Sequence, residues 1–291
     1  MGREIHRPDP RGDGHRSEGI VRMKVVLFCG GLGTRIREYS ESIPKPMIPI
    51  GHQPILWHLM QYYRQYGHAD FILCLGYKAN VVKEFFLSYR PQNFADCVVS
   101  GFGTHVELLS EPDKDWRVTL IDTGIWRNIG ERLWAVRDHV RDEEIFLANY
   151  SDGLTNCDLD DMIDRFKKSG KIACFMAVRP PLTYHLADID GNGEVQDFRS
   201  SDSSDIWING GYFLFRREIF DYMREGEELV LEPFRRLIEA NQLMAYKHEG
   251  FWRSMDTLKD RQALEDMVEQ GKMPWRAPFL SKEKSKTLVL A

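Results

Sequence analysis

The sequence predicts an α/β fold: a mixed, mostly parallel central sheet with helices on both faces, plus a small antiparallel section. Three observations carry this. Continuous apolar runs of strand length end in turns containing glycine or aspartate, amphipathic stretches of helical period lie between them, and beyond Val178 short strands separated by turn residues replace that alternation. Lys24 to Cys29 is apolar after its first residue and stops at Gly30-Gly31, the pattern of a strand buried on both faces. Pro54 opens an amphipathic stretch, Ile55 to Tyr66, closed by Gly67, with proline at a helix start and glycine past its end. Asp70 to Gly76 reads as the second strand. Ala79 to Tyr89 sets Val82, Phe85, Phe86 and Tyr89 at helical spacing, and such a β-α-β-α opening requires parallel strands.

Val106 to Leu109 and Val118 to Ile121 are short strands, Arg132 to Val140 a helix, and Ile145 to Asn149 an apolar strand running into Tyr150-Ser151-Asp152-Gly153. Asp158 to Lys168 and Lys171 to Val178 continue the helix and strand alternation. Tyr184 to Phe215 then mixes short strands with turns such as Asp190-Gly191-Asn192-Gly193, an antiparallel section expected to pack beside the first half. Helical segments near Arg217 to Arg224, Glu232 to Ala240 and Leu258 to Gln270 follow. The expected organisation is a disordered N-terminal extension over 1–22, one domain over 23–276 and a loose tail over 277–291.

With 291 residues, 43% of them hydrophobic, the chain can bury one large core. A formal net charge of −5 provides no global field for nucleic acid or an anionic membrane, so neither is expected as a partner and any phosphate site must be local. The first 22 residues lack the apolar region of a signal peptide, and no later run reaches the roughly 20 residues of a membrane helix. Five widely spaced cysteines without a C-x-x-C pair point to reduced thiols and a cytoplasmic protein, with burial the ordinary fate of the three that sit inside apolar runs.

The strongest local feature is Gly30-Gly31-Leu32-Gly33-Thr34-Arg35 directly after the first strand. Glycines there let backbone N–H groups approach phosphate oxygens, while Thr34 and Arg35 can add a hydroxyl and a bidentate cation. The spacing is neither a dinucleotide fingerprint nor a Walker loop, and alone it is also compatible with an ordinary tight strand-to-helix turn. Ten residues on, Lys45 stands between Pro44 and Pro46, whose fixed torsions would present it as a positioned point charge.

Together, G-G-x-G-T-R followed by Lys45-Pro46-Met47 resembles the signature of sugar-phosphate nucleotidyltransferases, and the resemblance runs from about Met23 to Arg276. It is closest to the glucose-1-phosphate cytidylyltransferase group through Pro54-Ile55-Leu56-Trp57-His58, Gly76-Tyr77-Lys78, Val118 to Gly124, Ile208-Asn209-Gly210-Gly211 and Gly250-Phe251-Trp252 leading to Met255-Asp256-Thr257-Leu258. The resemblance implies a Rossmann-like nucleotidyltransferase fold, often as a homo-oligomer. It implies Asp152 and Asp256 as ligands of Mg2+, Lys45 and Arg35 as catalytic counter-charges, and Gly30, Gly31, Leu32, Gly33, Thr34, Thr123, Gly124 and Arg132 as the nucleotide site. Either aspartate could instead cap a neighbouring helix. The reaction implied is in-line attack of an acceptor phosphate on the α-phosphorus of a nucleoside triphosphate, CTP by this resemblance, with no covalent enzyme intermediate. Because an ionised phosphate is already a nucleophile, His58 and His68 are expected to pack rather than to act as acid or base.

Departures from the pattern cluster on the acceptor side. Tyr150, Tyr184, His185, Arg199 and Asn209 are the expected acceptor residues, but Phe198-Arg199-Ser200-Ser201-Asp202 replaces a Glu-Lys-Pro stretch and Tyr184-His185-Leu186-Ala187 replaces Phe-Gly-Ala-Leu. Glu131 also stands where the group carries glycine, near the expected base pocket. Three readings follow: CMP transfer to glucose 1-phosphate or a related sugar 1-phosphate, transfer to a non-sugar phosphate or phosphonate, or a non-catalytic homologue that binds a nucleotide sugar. Retention of Lys45, Arg35, Asp152 and Asp256 favours an enzyme.

Overall fold

The computed structural model describes residues 22–31, 43–109, 116–180, 185–200 and 206–276. The expected extension and tail therefore lie outside the described residues apart from Arg22. The first half comprises β1 (Lys24–Phe28), the short pair β2 (Pro49–Ile50) and β3 (Gln53–Pro54), α1 (Ile55–Gln65), β4 (Asp70–Leu75) and α2 (Ala79–Leu87). It continues with the hairpin β5 (Cys97–Ser100) and β6 (His105–Leu108), β7 (Arg117–Asp122), α3 (Ile129–Ala135), the single turn α4 (Arg137–Val140) and β8 (Ile145–Asn149). The second half adds β9 (Gly153–Thr155), α5 (Leu159–Ser169), β10 (Ala173–Val178), the hairpin β11 (His185–Ile189) and β12 (Val195–Ser200), and β13 (Ile208–Arg216). It ends with α6 (Glu232–Glu239), β14 (Leu243–His248), β15 (Trp252–Ser254) and α7 (Leu258–Glu269).

Seven strands form one sheet in the order β14-β10-β13-β8-β1-β4-β7. The two-residue period of β1 divides the core between its faces. Val25 and Leu27 join residues of α1, α2 and α5 on one side, whereas Val26 and Phe28 join Leu133, Val140, Phe234 and Leu237 from α3, α4 and α6 on the other. Each fully buried side chain of this kind contributes about 2 kcal/mol relative to exposure, so both helical layers are needed to keep β1 out of water.

All neighbours in the sheet are parallel except β13, which runs antiparallel to both β8 and β10. The small antiparallel section expected after Val178 is the β11–β12 hairpin, whereas β13, read with it from the sequence, lies inside the main sheet. The reason is visible in β13 itself. Tyr212 and Leu214 enter one core, Phe213 and Phe215 the other, and a strand apolar on both faces belongs in the middle of a sheet. Reversal brings the start of β13 to the same rim as the carboxyl ends of β8 and β10, with Tyr212 opposite Asn149 and Ile208 opposite Val178.

Local chemistry adjusts other boundaries. The helix expected from Arg132 begins at Ile129, because Asn128 caps it and Glu131 returns its carboxylate to the Asn128 N–H in a capping box. Glu131 thus has an assignment that the sequence pattern did not reveal. Arg217–Tyr222 is a 3₁₀ rather than an α segment.

Candidate active site

Ligand sites of open α/β sheets lie at the carboxyl ends of the strands, and here three distant segments converge on that rim. Lys45 opens a 3₁₀ turn, Lys45–Met47, whose Pro46 and Met47 are buried, so the turn is pinned while the ammonium reaches outward. Its Nζ donates to Asp152 Oδ2 at 2.7 Å and to Asp256 Oδ1 at 2.9 Å.

The two carboxylates are held side by side by a short ladder. β9 follows Asp152 directly and pairs antiparallel with β15, Gly153 opposite Ser254, while the Met255 N–H donates to Asp152 O at 2.8 Å. Asp256 follows immediately, and the Ser254 hydroxyl donates to its Oδ2 at 2.8 Å. Behind Asp152, Ser151 takes a left-handed backbone with φ 67°, stabilised by its N–H bond to Asn149 Oδ1 at 2.7 Å.

The alternative roles of these aspartates are filled by other residues. Thr257, not Asp256, caps α7 and forms a capping box with Asp260, and Asp158 caps α5. Burial alone would push the Lys45 ammonium down, but the charges and hydrogen bonds of Asp152 and then Asp256 outweigh it, and the pKa is raised. Burial raises the Asp152 carboxyl, Lys45 offsets this in part, and the like charge of Asp256 adds to the rise. Two carboxylates sharing one ammonium leave an excess negative charge, so the pair can accept a further cation. Among the described residues there is no group of three or more His, Cys, Asp and Glu able to cage a metal. Two carboxylates already gripping a cation nevertheless fit Mg2+, which commonly uses one or two protein carboxylates and completes its shell with phosphate oxygens and water.

Of the residues expected at a nucleotide site, Gly30 and Gly31 follow β1, while Leu32, Gly33, Thr34 and Arg35 lie outside the described residues. Among the described residues a Cβ on Gly31 would meet nothing within 4 Å, whereas one on Gly30 would fall 1.9 Å from Arg132 Nη1. Thr123 and Arg132 are both buried beneath this loop. The Thr123 hydroxyl donates to Leu75 O at 2.7 Å and accepts from Arg132 Nη1 at 2.7 Å. Gly124, with φ 96°, turns the chain at the rim.

Where β8 ends and β13 begins, Asn209 Nδ2 donates to Tyr150 Oη at 3.1 Å, and burial raises the Tyr150 pKa so that its phenol stays neutral. A Cβ on Gly211 would stand 2.8 Å from the Tyr150 ring, so the second glycine of Asn209-Gly210-Gly211 admits that side chain. Trp252 Nε1 donates to Gly210 O at 2.8 Å and ties β15 to β13, a link that the sequence does not reveal. Arg199 does not join this group: on β12 it is exposed and paired with Asp197. His185 opens β11 opposite Ser200, its side chain lies outside the described residues, and so does Tyr184.

The histidines pack as expected. His58 Nδ1 faces the Trp275 indole N–H at 3.4 Å and Nε2 lies 3.0 Å from Ile50 O, which defines a neutral ring with its proton on Nε2. His68 Nδ1 accepts the Met23 N–H at 3.1 Å.

Residues 24–267 match the family model described as Nucleotidyl transferase. The chain is 40% identical over 256 residues to the glucose-1-phosphate cytidylyltransferase of Salmonella typhi, covering 87% of this chain and 99% of that protein. It is 42% identical over 221 residues to the D-glycero-alpha-D-manno-heptose 1-phosphate guanylyltransferase of Campylobacter jejuni, covering 73% of this chain and 84% of that protein. Among solved structures, a UDP-glucose pyrophosphorylase complexed with UDP-glucose superposes with a TM-score of 0.63 over 86% of this chain and 99% of its own, at 13% identity. That likeness concerns the fold alone.

Proposed function

The chain belongs to the nucleotidyl transferase family, and we propose that it transfers CMP from CTP to a sugar 1-phosphate, with Mg2+, giving a CDP-activated product and pyrophosphate. The observation that carries this reading is the convergence of Lys45, Asp152 and Asp256 at the rim beside the Gly30-Gly31 turn. Cytidine is chosen over guanine because the likeness to a protein named for CTP chemistry extends over nearly the whole of both chains, whereas that to the guanylyltransferase covers less of each.

In this mechanism an ionised oxygen of the acceptor phosphate forms a bond to the α-phosphorus as the bond to the β-phosphate oxygen breaks, and pyrophosphate departs with that electron pair. Asp152 and Asp256 would hold Mg2+, which supplies Lewis-acid neutralisation of the triphosphate. Lys45, released from the carboxylates, supplies a counter-charge to the phosphates, and Arg35 a second. No side chain needs to remove a proton from the attacking group, consistent with the neutral, packed state of His58. Tyr150 and Asn209 form the fixed part of the acceptor site, and Tyr184, His185 and Arg199 its variable border.

A cytoplasmic homo-oligomer completes the reading. No helix among the described residues is long and apolar enough to cross a membrane. Exposed Val99 and Phe102 of the β5–β6 hairpin, and Phe198 of β12, support burial against further copies of the chain.

Pyrophosphate release with Mg2+ and each of CTP, UTP, GTP and dTTP, against a panel of sugar 1-phosphates, alkyl phosphates and phosphonates, tests the assignment. Release restricted to CTP and a sugar 1-phosphate is expected. Activity confined to a non-sugar phosphate would reassign the acceptor, and inactivity across the panel would overturn the catalytic reading in favour of a binding protein.

A further inference from the structure

Arg132 is 2% exposed, yet its guanidinium forms four hydrogen bonds, all within the protein wall. Nη1 donates to Leu75 O at 3.1 Å and to Thr123 Oγ1 at 2.7 Å, and Nη2 donates to Gly30 O at 3.0 Å and to Ile125 O at 3.2 Å. Leu75 ends β4, Gly30 lies just past β1, and Thr123 and Ile125 lie just past β7. A single fork, projected from α3, therefore gathers the carboxyl ends of three parallel strands. Burying a charge is costly, and a side chain kept only to fill volume would do better as a hydrocarbon. The planar guanidinium offers what a hydrocarbon cannot: several donors fixed in direction, which set the relative positions of the carbonyls they bind.

The glycines beside it give an independent sign. A Cβ on Gly30 would lie 1.9 Å from Nη1 and 2.3 Å from Cζ, and one on Gly76 would lie 2.8 Å from Nη1. At Gly31, the next residue of the same turn, a Cβ would meet no atom of the described residues within 4 Å. Neighbouring glycines thus serve different needs: Gly30 leaves room for the guanidinium and Gly76 for it and for the Gly30 and Gly124 carbonyls, whereas no described residue closes on Gly31.

We propose that Arg132 is a positioning residue that touches no part of the nucleotide and sets, through the Gly30, Leu75 and Ile125 carbonyls, the point from which the glycine loop departs. The proposal rests on the rim being the nucleotide site. It departs from the direct nucleotide contact that family resemblance implies for this arginine.

The test is a double-mutant cycle read by direct binding of Mg2+ and CTP in calorimetry, using the full chain with Gly30→Ala, Arg132→Met and the double variant. Gly30→Ala should displace the guanidinium and weaken nucleotide binding at least tenfold, and Arg132→Met should weaken it to a similar degree. The double variant should bind no worse than Arg132→Met within threefold, because there is no longer a fork to displace. Arg132→Lys, which keeps one donor, should fall between wild type and Arg132→Met, while affinity for the acceptor stays within twofold throughout. If Arg132→Met does not fold, Arg132→Gln runs the same cycle. Losses that multiply in the double variant, or a changed preference among CTP, UTP and GTP in Arg132→Met, would overturn the proposal while leaving the site intact. A wild-type chain that binds no nucleoside triphosphate would remove the site and the proposal together.

Discussion

At the sheet rim, each polar group that faces the site is fixed by another: Asp152 by the β9–β15 ladder, Asp256 by Ser254, Lys45 by both carboxylates, and Tyr150 by Asn209. The β11–β12 hairpin is built differently. Its pairing sets Ala187 opposite Phe198 and Ile189 opposite Val195 on one face, and Phe198 remains 66% exposed. The other face sets Asp188 directly opposite Asp197, a like-charge pair that Arg199 relieves by bonding Asp197. The contrast locates the two tasks of a group-transfer site. On the proposed reading, charge neutralisation demands groups whose backbones are pinned before the reaction begins, and these are gathered at the sheet rim. Choice of acceptor can be left to a peripheral element whose side chains change without disturbing the core.

The sharpest way to break this comparison is Lys45→Ala. It should lower kcat by about 10²- to 10³-fold, a loss of about 3–4 kcal/mol of transition-state stabilisation, with unchanged circular dichroism. Near wild-type turnover would show that the rim is not the reacting centre.

Acid should reveal the next largest effect. Burial, and secondarily the charge of Arg276, pushes the His58 pKa to about 4, below its ordinary 6.5. The unfolded chain then takes up a proton at a higher pH than the folded one. The contribution is fully present above pH 6.5 and is lost as pH falls towards 4, at most about 3 kcal/mol. Melting temperature should drop across that window, and His58→Asn should flatten the drop.

Asp256→Asn should raise the Mg2+ concentration for half-maximal activity by about tenfold or more, because the amide keeps a bond to Ser254 but loses its charge. Thr257→Ala should leave the Mg2+ response alone and cost about 1 kcal/mol of stability through the lost cap. The two measurements separate neighbouring residues that the sequence could not.

The smallest effect belongs to the hairpin. Arg199→Ala should change kcat by less than about twofold and alter, if anything, the KM of the acceptor alone, since an exposed ion pair is worth little. A large fall in kcat would place the hairpin within the reacting centre and erase the distinction.

What the sequence made legible follows the same division. Lys45 between two prolines and Asp152 behind an apolar strand could be found because local covalent constraints and burial leave direct marks in a sequence. β14 could not: at this sheet-edge strand the short apolar run Leu243 to Tyr246 gives way to Lys247 and His248, and His248 alone of the six side chains is buried. Nor could the destination of Arg132, because a buried arginine and a ligand-binding one look alike until the carbonyls it meets are known. Asp256 remained ambiguous because choosing between cap and carboxylate ligand required knowing that Thr257 already filled the cap.

The reversed strand has a consequence for the order in which this molecule is made. In the main sheet, β8-β1-β4-β7 and β10-β14 meet only across β13. On a ribosome, the strands of the first set can pair soon after Asn149 emerges, but the seam remains open until Ile208–Arg216 follows. That segment carries Asn209 and Gly211, against which Tyr150 seats. A nascent chain therefore cannot seat Tyr150 against Asn209 and Gly211 before its main sheet is joined, and a product cut short ahead of β13 has a glycine turn and Asp152 but neither that seat nor Asp256.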